Sequence, residues 1–143
     1  MNKHTLCETF CHDLRITEVP AGFAVGTTFT YRDGDPLSFY ITPHPTDAAT
    51  YRLEDSGLLV PFLEATGINL DSGHRASLFH RLLQEYAASY DAETMEVHSR
   101  YVSESELPAE AMRFVALLLR LQDLEWLAPS ATASAVRREH AVA

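Results

Sequence analysis

Apolar positions along this chain switch between a helical and a strand-like period, and the switches mark out its elements. Leu6, Phe10 and Leu14 recur at i, i+4 and i+8 with Cys7 and Cys11 alongside. That stripe predicts a first helix over residues 3–14 that packs onto a sheet. Ile16 to Val19 predicts a short strand closed by Pro20-Ala21-Gly22. Phe23, Val25, Thr27, Phe29 and Tyr31 then alternate with Ala24, Gly26, Thr28 and Thr30, the pattern of a half-buried strand. Arg32-Asp33-Gly34-Asp35-Pro36 predicts a tight hairpin, in which Asp-Gly supplies the positive φ angles and Pro36 cannot donate into a ladder. Leu37, Phe39 and Ile41 are the inward set of the return strand. Pro43-His44-Pro45 ends it, because each proline restricts its predecessor and lacks an N–H. Tyr51-Arg52-Leu53 predicts a third strand.

Asp55-Ser56-Gly57 are helix-start residues, which casts Asp55 as a cap. Pro61 then falls inside the helix, so the helix begins in earnest near Leu59 or Val60, or is bent, and Gly67 closes it. A second amphipathic helix runs from a cap at Asp71 or Ser72 to Ala88. Leu78, Phe79, Leu82, Leu83 and Tyr86 form its core stripe, and His80 borders that stripe as a half-buried packing residue. Tyr90 to Val102 predicts a turn and one or two strands with Met95, Val97 and Tyr101 inward. From Pro108, which suits a first helical turn, to Ala128 the chain is apolar around most of a helix's girth. Such a helix is either the central buried helix or a self-association surface. Pro129 stops it. The expectation is one α+β domain over 1–128: a small antiparallel sheet packed by about four helices, the N-terminal helix first and a long apolar helix last. Residues 129–143, rich in small side chains, read as a flexible tail.

Composition agrees with one domain. A chain of 143 residues, 46% of them apolar, buries roughly two-thirds of its unfolded surface and needs neither metal nor disulfide to stand. No apolar run has the length of a signal peptide or a bilayer span, so the expected setting is cytoplasmic, with no membrane contact and both cysteines reduced. The net charge is −9, and it is concentrated. Residues 33–71 carry seven acids against one Arg, and residues 85–110 do the same. If the two blocks converge on one face, that face repels nucleic acid and suits a basic protein partner.

The candidate chemistry is thin. His4, Cys7, Cys11 and His12 hold metal-ligand types, but on one helix positions 4 and 11 are separated by about 10 Å of rise, too far for one tetrahedral site. The cysteines therefore read as small buried apolar residues. Asp33, Asp35 and Asp55, with His44 and Arg52 nearby, are the set a metal-dependent hydrolase would use. Turn geometry and capping account for all three acids without chemistry. His74, His80, His98 and His140 share no metal-ligand spacing, and no nucleophile elbow or phosphate-cradling loop is present. The reading expects no cofactor, no resident metal and no catalytic residue.

Leu6-Cys7, the Asp33-Gly34-Asp35…Phe39-Tyr40 hairpin and Tyr51-Arg52-Leu53-x-Asp55-x-Gly57 form a recurring pattern. It continues through Gly67-Ile68-x-Leu70, an Arg-bearing helix ending at Tyr86, and Leu121-x-Asp123-Leu124. Over residues 6–127 the chain resembles a bacterial and phage-borne domain-of-unknown-function family of small α+β proteins found on mobile elements. The resemblance implies a fold class and a setting, and it carries no catalytic residues. The functional expectation is a non-enzymatic acidic module that binds a basic protein, such as a nucleic-acid-handling host defence complex, in the manner of an anti-CRISPR. Its contact residues would be Asp33, Asp35, Asp55, Glu93, Glu96, Glu104, Glu106 and Glu110. The alternatives are a small hydrolase using Asp33, Asp35 and Asp55, and a homodimer built on the last helix.

Overall fold

The computed structural model describes residues 1–127, so the tail expected over 129–143 lies outside the described residues. Seven strands, β1 (Arg15–Val19), β2 (Gly22–Thr30), β3 (Pro36–Pro43), β4 (Thr50–Glu54), β5 (Ser89–Asp91), β6 (Glu96–His98) and β7 (Val102–Ser103), form one antiparallel sheet. Their order is β1-β2-β3-β4-β6-β5, and β7 pairs the first half of β4. Four helices accompany them: α1 (Lys3–Cys11), α2 (Leu59–Ala65), α3 (Gly73–Glu85) and α4 (Leu107–Gln122). The class is α+β, with the N-terminal helix first and the long helix last.

Register sorts the side chains. Val25 pairs Phe39, Ile41 pairs Leu53, and Glu54 pairs His98. Alternation then sends Val25, Leu37, Phe39, Leu53 and Val97 to one face, where all five are buried. Ser38, Tyr40, Thr42, Arg52, Glu54, Glu96 and His98 go to the other. The apolar face meets α4, whose Phe114 ring stands edge-on to Phe39 at 5.9 Å, and α2 and α3 extend the same core. Phe114, Val115, Leu117, Leu118 and Leu121 of α4 are buried in that core. This helix is therefore the central buried one, although Met112 on it stays 70% exposed.

Two local features shape the β2–β3 hairpin. Between Gly26↔Ser38 and Thr30↔Pro36, β2 spends two more residues than β3. Thr27 fills the gap: its hydroxyl donates to the Leu37 carbonyl at 2.7 Å and accepts from the Phe29 N–H at 3.2 Å. At the tip, Gly34 N–H donates to Tyr31 O at 2.9 Å and Tyr31 N–H donates to Asp35 O at 2.8 Å. Only Gly34 takes a positive φ, +91°. The tip is thus a three-residue loop closed by a left-handed glycine rather than a two-residue Asp-Gly turn.

Several expectations are corrected. Helix α1 ends at Cys11 and buries no residue. Phe10 is 57% exposed and Cys7 and Cys11 are exposed; Phe10, Cys11 and Leu14 only border an apolar cleft left open between them, Val25, Phe39 and Ile41 of the sheet, and Met112 and Val115 of α4. His80 is exposed, touching the core only through its ring edge against Phe79. Tyr101 turns outward and Val102 is buried in its place. The start of α2, by contrast, falls at Leu59, where it was expected, so Pro61 sits in its first turn and the missing N–H costs no helical bond.

Candidate functional site

The hairpin tip and the start of α2 enclose a groove of about 410 Å³ lined by Tyr31, Asp33, Asp35, Pro36, Leu58 and Phe62, among others. Its apolar side is built by sequence necessity. Pro61 keeps the helix from starting before Leu58, so Leu58 precedes the first turn and lies 70% exposed, while Leu59 and Val60 turn into the core. Its acidic rim comes from the tip loop. There the Asp33 carboxylate accepts the Asp35 N–H at 3.0 Å, and among the described residues no cation pairs with either acid. Arg32 also lines the groove, but its charge is spent on Asp123 and Glu125, and its guanidinium stacks over Trp126. Tyr31 is held protonated well above the ordinary phenol range, first by burial and then by the negative charges of Asp55 and Asp33.

Asp55 is not a helix cap. Helix α2 begins four residues later, and the Asp55 carboxylate instead accepts the Val97 N–H at 2.8 Å while its own N–H donates to Val97 O at 3.0 Å. It rivets the β4–α2 corner to β6. Gly57 makes the corner possible: its φ is +68°, and a Cβ there would sit 3.2 Å from the Thr94 carbonyl oxygen. Asp55 is 2% exposed, and its Oδ2 has no hydrogen-bond partner. Burial pushes its pKa up. The N–H groups of Val97, Gly57 and Leu59 act against that, and Glu96 adds to it. A carboxylate so enclosed offers nothing to a partner's surface.

The remaining predicted contact acids divide between two ends of the sheet. Glu93 lies in the β5–β6 turn and Glu96 opens β6, at the end where β4 runs out into Asp55, the end that also holds the hairpin tip. Glu104 and Glu106 follow β7, whose Ser103 pairs Thr50, at the opposite end. There Glu106 closes a capping box with Ser103, which holds its carboxyl below the usual range. Glu110 is 3% exposed and meets Arg100 at 3.4 Å and Arg113 at 3.9 Å, so it is turned inward and already paired. The second acidic block thus does not present one face.

On the polar face of the sheet, the fold brings together a set that the reading of the histidines set aside. Ligand atoms of Glu54, Glu96 and His98 lie within 4.8 Å of one another, the one such trio among the described residues. His98 Nε2 and Glu96 Oε2 are 3.2 Å apart. Glu54 Oε1 accepts from Thr42 Oγ1 at 2.8 Å and Arg52 Nε at 2.9 Å. Glu96-x-His98 and Arg52-x-Glu54 each carry a local signal, since on a strand residues two apart share a face. Only the pairing of Glu54 with His98, 44 positions apart, joins them. Asp33, Asp35 and Asp55 do not form such a trio.

The fold and these sites define a small α+β protein with one helix-packed sheet face, an acidic-rimmed apolar groove at one end and a charged polar face. The family described as Domain of unknown function DUF1828 matches residues 27–121, from the middle of β2 through most of α4, and the chain belongs to it. No curated protein and no solved structure matches the chain. Among the described residues no helix is long and apolar enough to cross a membrane.

Proposed function

We propose that this protein is a non-enzymatic binding module whose groove at the hairpin tip takes a basic segment of a protein partner. The observation that carries the reading is the pairing of opposites in one cleft. Leu58 and Phe62 are large apolar side chains left 70% and 38% exposed, and Asp33 and Asp35 stand on the rim with no cation paired to them among the described residues. An exposed Leu beside a Phe gains from burial at about 25 cal/mol per Å². Two carboxylates on the rim select a segment with Lys or Arg flanking its apolar anchor, and speed its approach. The finer reading is an inhibitor of phage or mobile-element type that covers a basic, nucleic-acid-binding surface of a host defence complex. Its support is the net charge of −9, which suits such a surface and repels the nucleic acid itself.

The test is an amide-resolved NMR titration of the full chain with a synthetic peptide alternating Lys and Leu. Shifts concentrated at residues 31–38 and 56–62, weakened by added salt and lost in Asp33→Asn/Asp35→Asn and in Leu58→Ser, are expected. Shifts centred on Glu104 and Glu106, or binding indifferent to salt, would sink the assignment of the groove.

A further inference from the structure

We propose that Glu54, Glu96 and His98 form a binding site for a borderline divalent cation, with Zn²⁺ as the representative ion. This is a site separate from the groove.

Three independent features converge on it. The first is donor chemistry: two carboxylates and an imidazole are a ligand set that zinc and its neighbours accept, and three protein ligands leave a fourth position open. The second is spacing. With metal–ligand bonds near 2.0–2.1 Å, the edge of a tetrahedral site is about 3.3 Å, and His98 Nε2 and Glu96 Oε2 already stand 3.2 Å apart. Glu54 completes the trio inside 4.8 Å. All three sit on neighbouring strands, so the sheet, not a loop, fixes their separation.

The third feature is support and charge. Glu54 is held by Thr42 and Arg52 through Oε1 alone, which orients the carboxylate and leaves Oε2 to coordinate, the role outer-shell partners play in metal sites. His98 is 6% exposed, so its ring is fixed by packing. Asp91, opposite Glu96 in the β5–β6 ladder, lies close enough to feel both His98 and Arg52. Glu54, Glu96 and Asp91 against Arg52, with the imidazole neutral as a ligand must be, leave two negative charges uncompensated. A divalent cation matches that deficit. The hairpin that carries Glu96 is set by an Asp91 turn, whose carboxylate accepts the Glu93 N–H at 2.8 Å, and by Met95 at φ +59°. This is an uncommon conformation for a side chain of that size, and it aims the strand back along β4.

The test is calorimetric titration of the full, tag-free chain with Zn²⁺ and with Mn²⁺, with metal content measured after dialysis. One equivalent of Zn²⁺ per chain is expected. Binding should be abolished in Glu96→Gln and His98→Gln, weakened about 10-fold or more in Thr42→Val, and unchanged in Cys7→Ser/Cys11→Ser. Glu96 is partly exposed, so its variant keeps the test open if the buried His98 variant misfolds. No heat with either ion, equal affinity in Glu96→Gln, or loss of binding in the cysteine variant would each overturn the site.

Discussion

The two faces of this sheet are built from the same strands and obey different rules. On the face that meets α4, Leu37, Leu53 and Val97 are fully buried, and their contribution is hydrophobic and scales with the apolar area removed from water. One residue along each strand, Arg52, Glu54, Glu96 and His98 lie on the other face, where separation and charge decide what the group can do. A period of two divides stability from chemistry at every step. The face that stabilises the protein therefore says little about its function, and on the polar face the partly exposed Arg52, Glu54 and Glu96 can change with smaller effect on folding than the buried His98.

Substitutions that cross this division should separate most sharply where packing is densest. Leu53→Ala on the covered face should cost about 2–5 kcal/mol in urea unfolding, since it removes most of a fully buried side chain. A loss under 1 kcal/mol would mean that α4 does not cover β4 as described.

Asp55 stands between the two regimes, and the next effect belongs to it. Asp55→Ala strips the acceptor from the buried Val97 N–H and should cost about 1–3 kcal/mol. Its folded pKa is raised above the unfolded value. Its contribution is therefore complete below the usual carboxylate pKa and is lost as pH rises through the folded one. The stability gap between wild type and Asp55→Ala should shrink as pH rises, measured by denaturant titration across that window. A gap that widens would show that hydrogen bonding outweighs burial at this carboxylate.

On the polar face, Glu54→Gln in metal-free protein should cost about 1 kcal/mol or less, because its partner Arg52 stays partly solvated. Thermal melts that place it with Leu53→Ala would erase the distinction between the faces. The smallest effects belong outside both. Phe10→Ala on the bare α1 and Leu58→Ala in the groove should each stay within about 0.5 kcal/mol of wild type. A larger loss for Phe10→Ala would mean that α1 is docked more firmly than its exposure indicates.

Local pattern alone accounts for much of this protein. The alternation from Phe23 to Ile41, the breaker at Pro43-His44-Pro45, and the long apolar stretch from Phe114 to Leu124 define β2, β3 and α4, because each depends on residues a few positions apart. Two groups of misreadings share one cause. Leu6, Phe10 and Leu14 announce an apolar stripe, but whether anything covers it depends on how closely β2, β3 and α4 approach it, and they leave a cleft between. Asp55 has the sequence of a cap and the structure of a buried rivet, because β6 supplies Val97 from 42 positions away. The candidate metal trio was legible only in halves, as Arg-x-Glu and Glu-x-His, each on one face of a strand. Strand periodicity determines which side chains share a face. Only tertiary pairing decides which faces meet and which acids remain free, because the energy of burial and of charge depends on neighbours that the chain brings in from elsewhere.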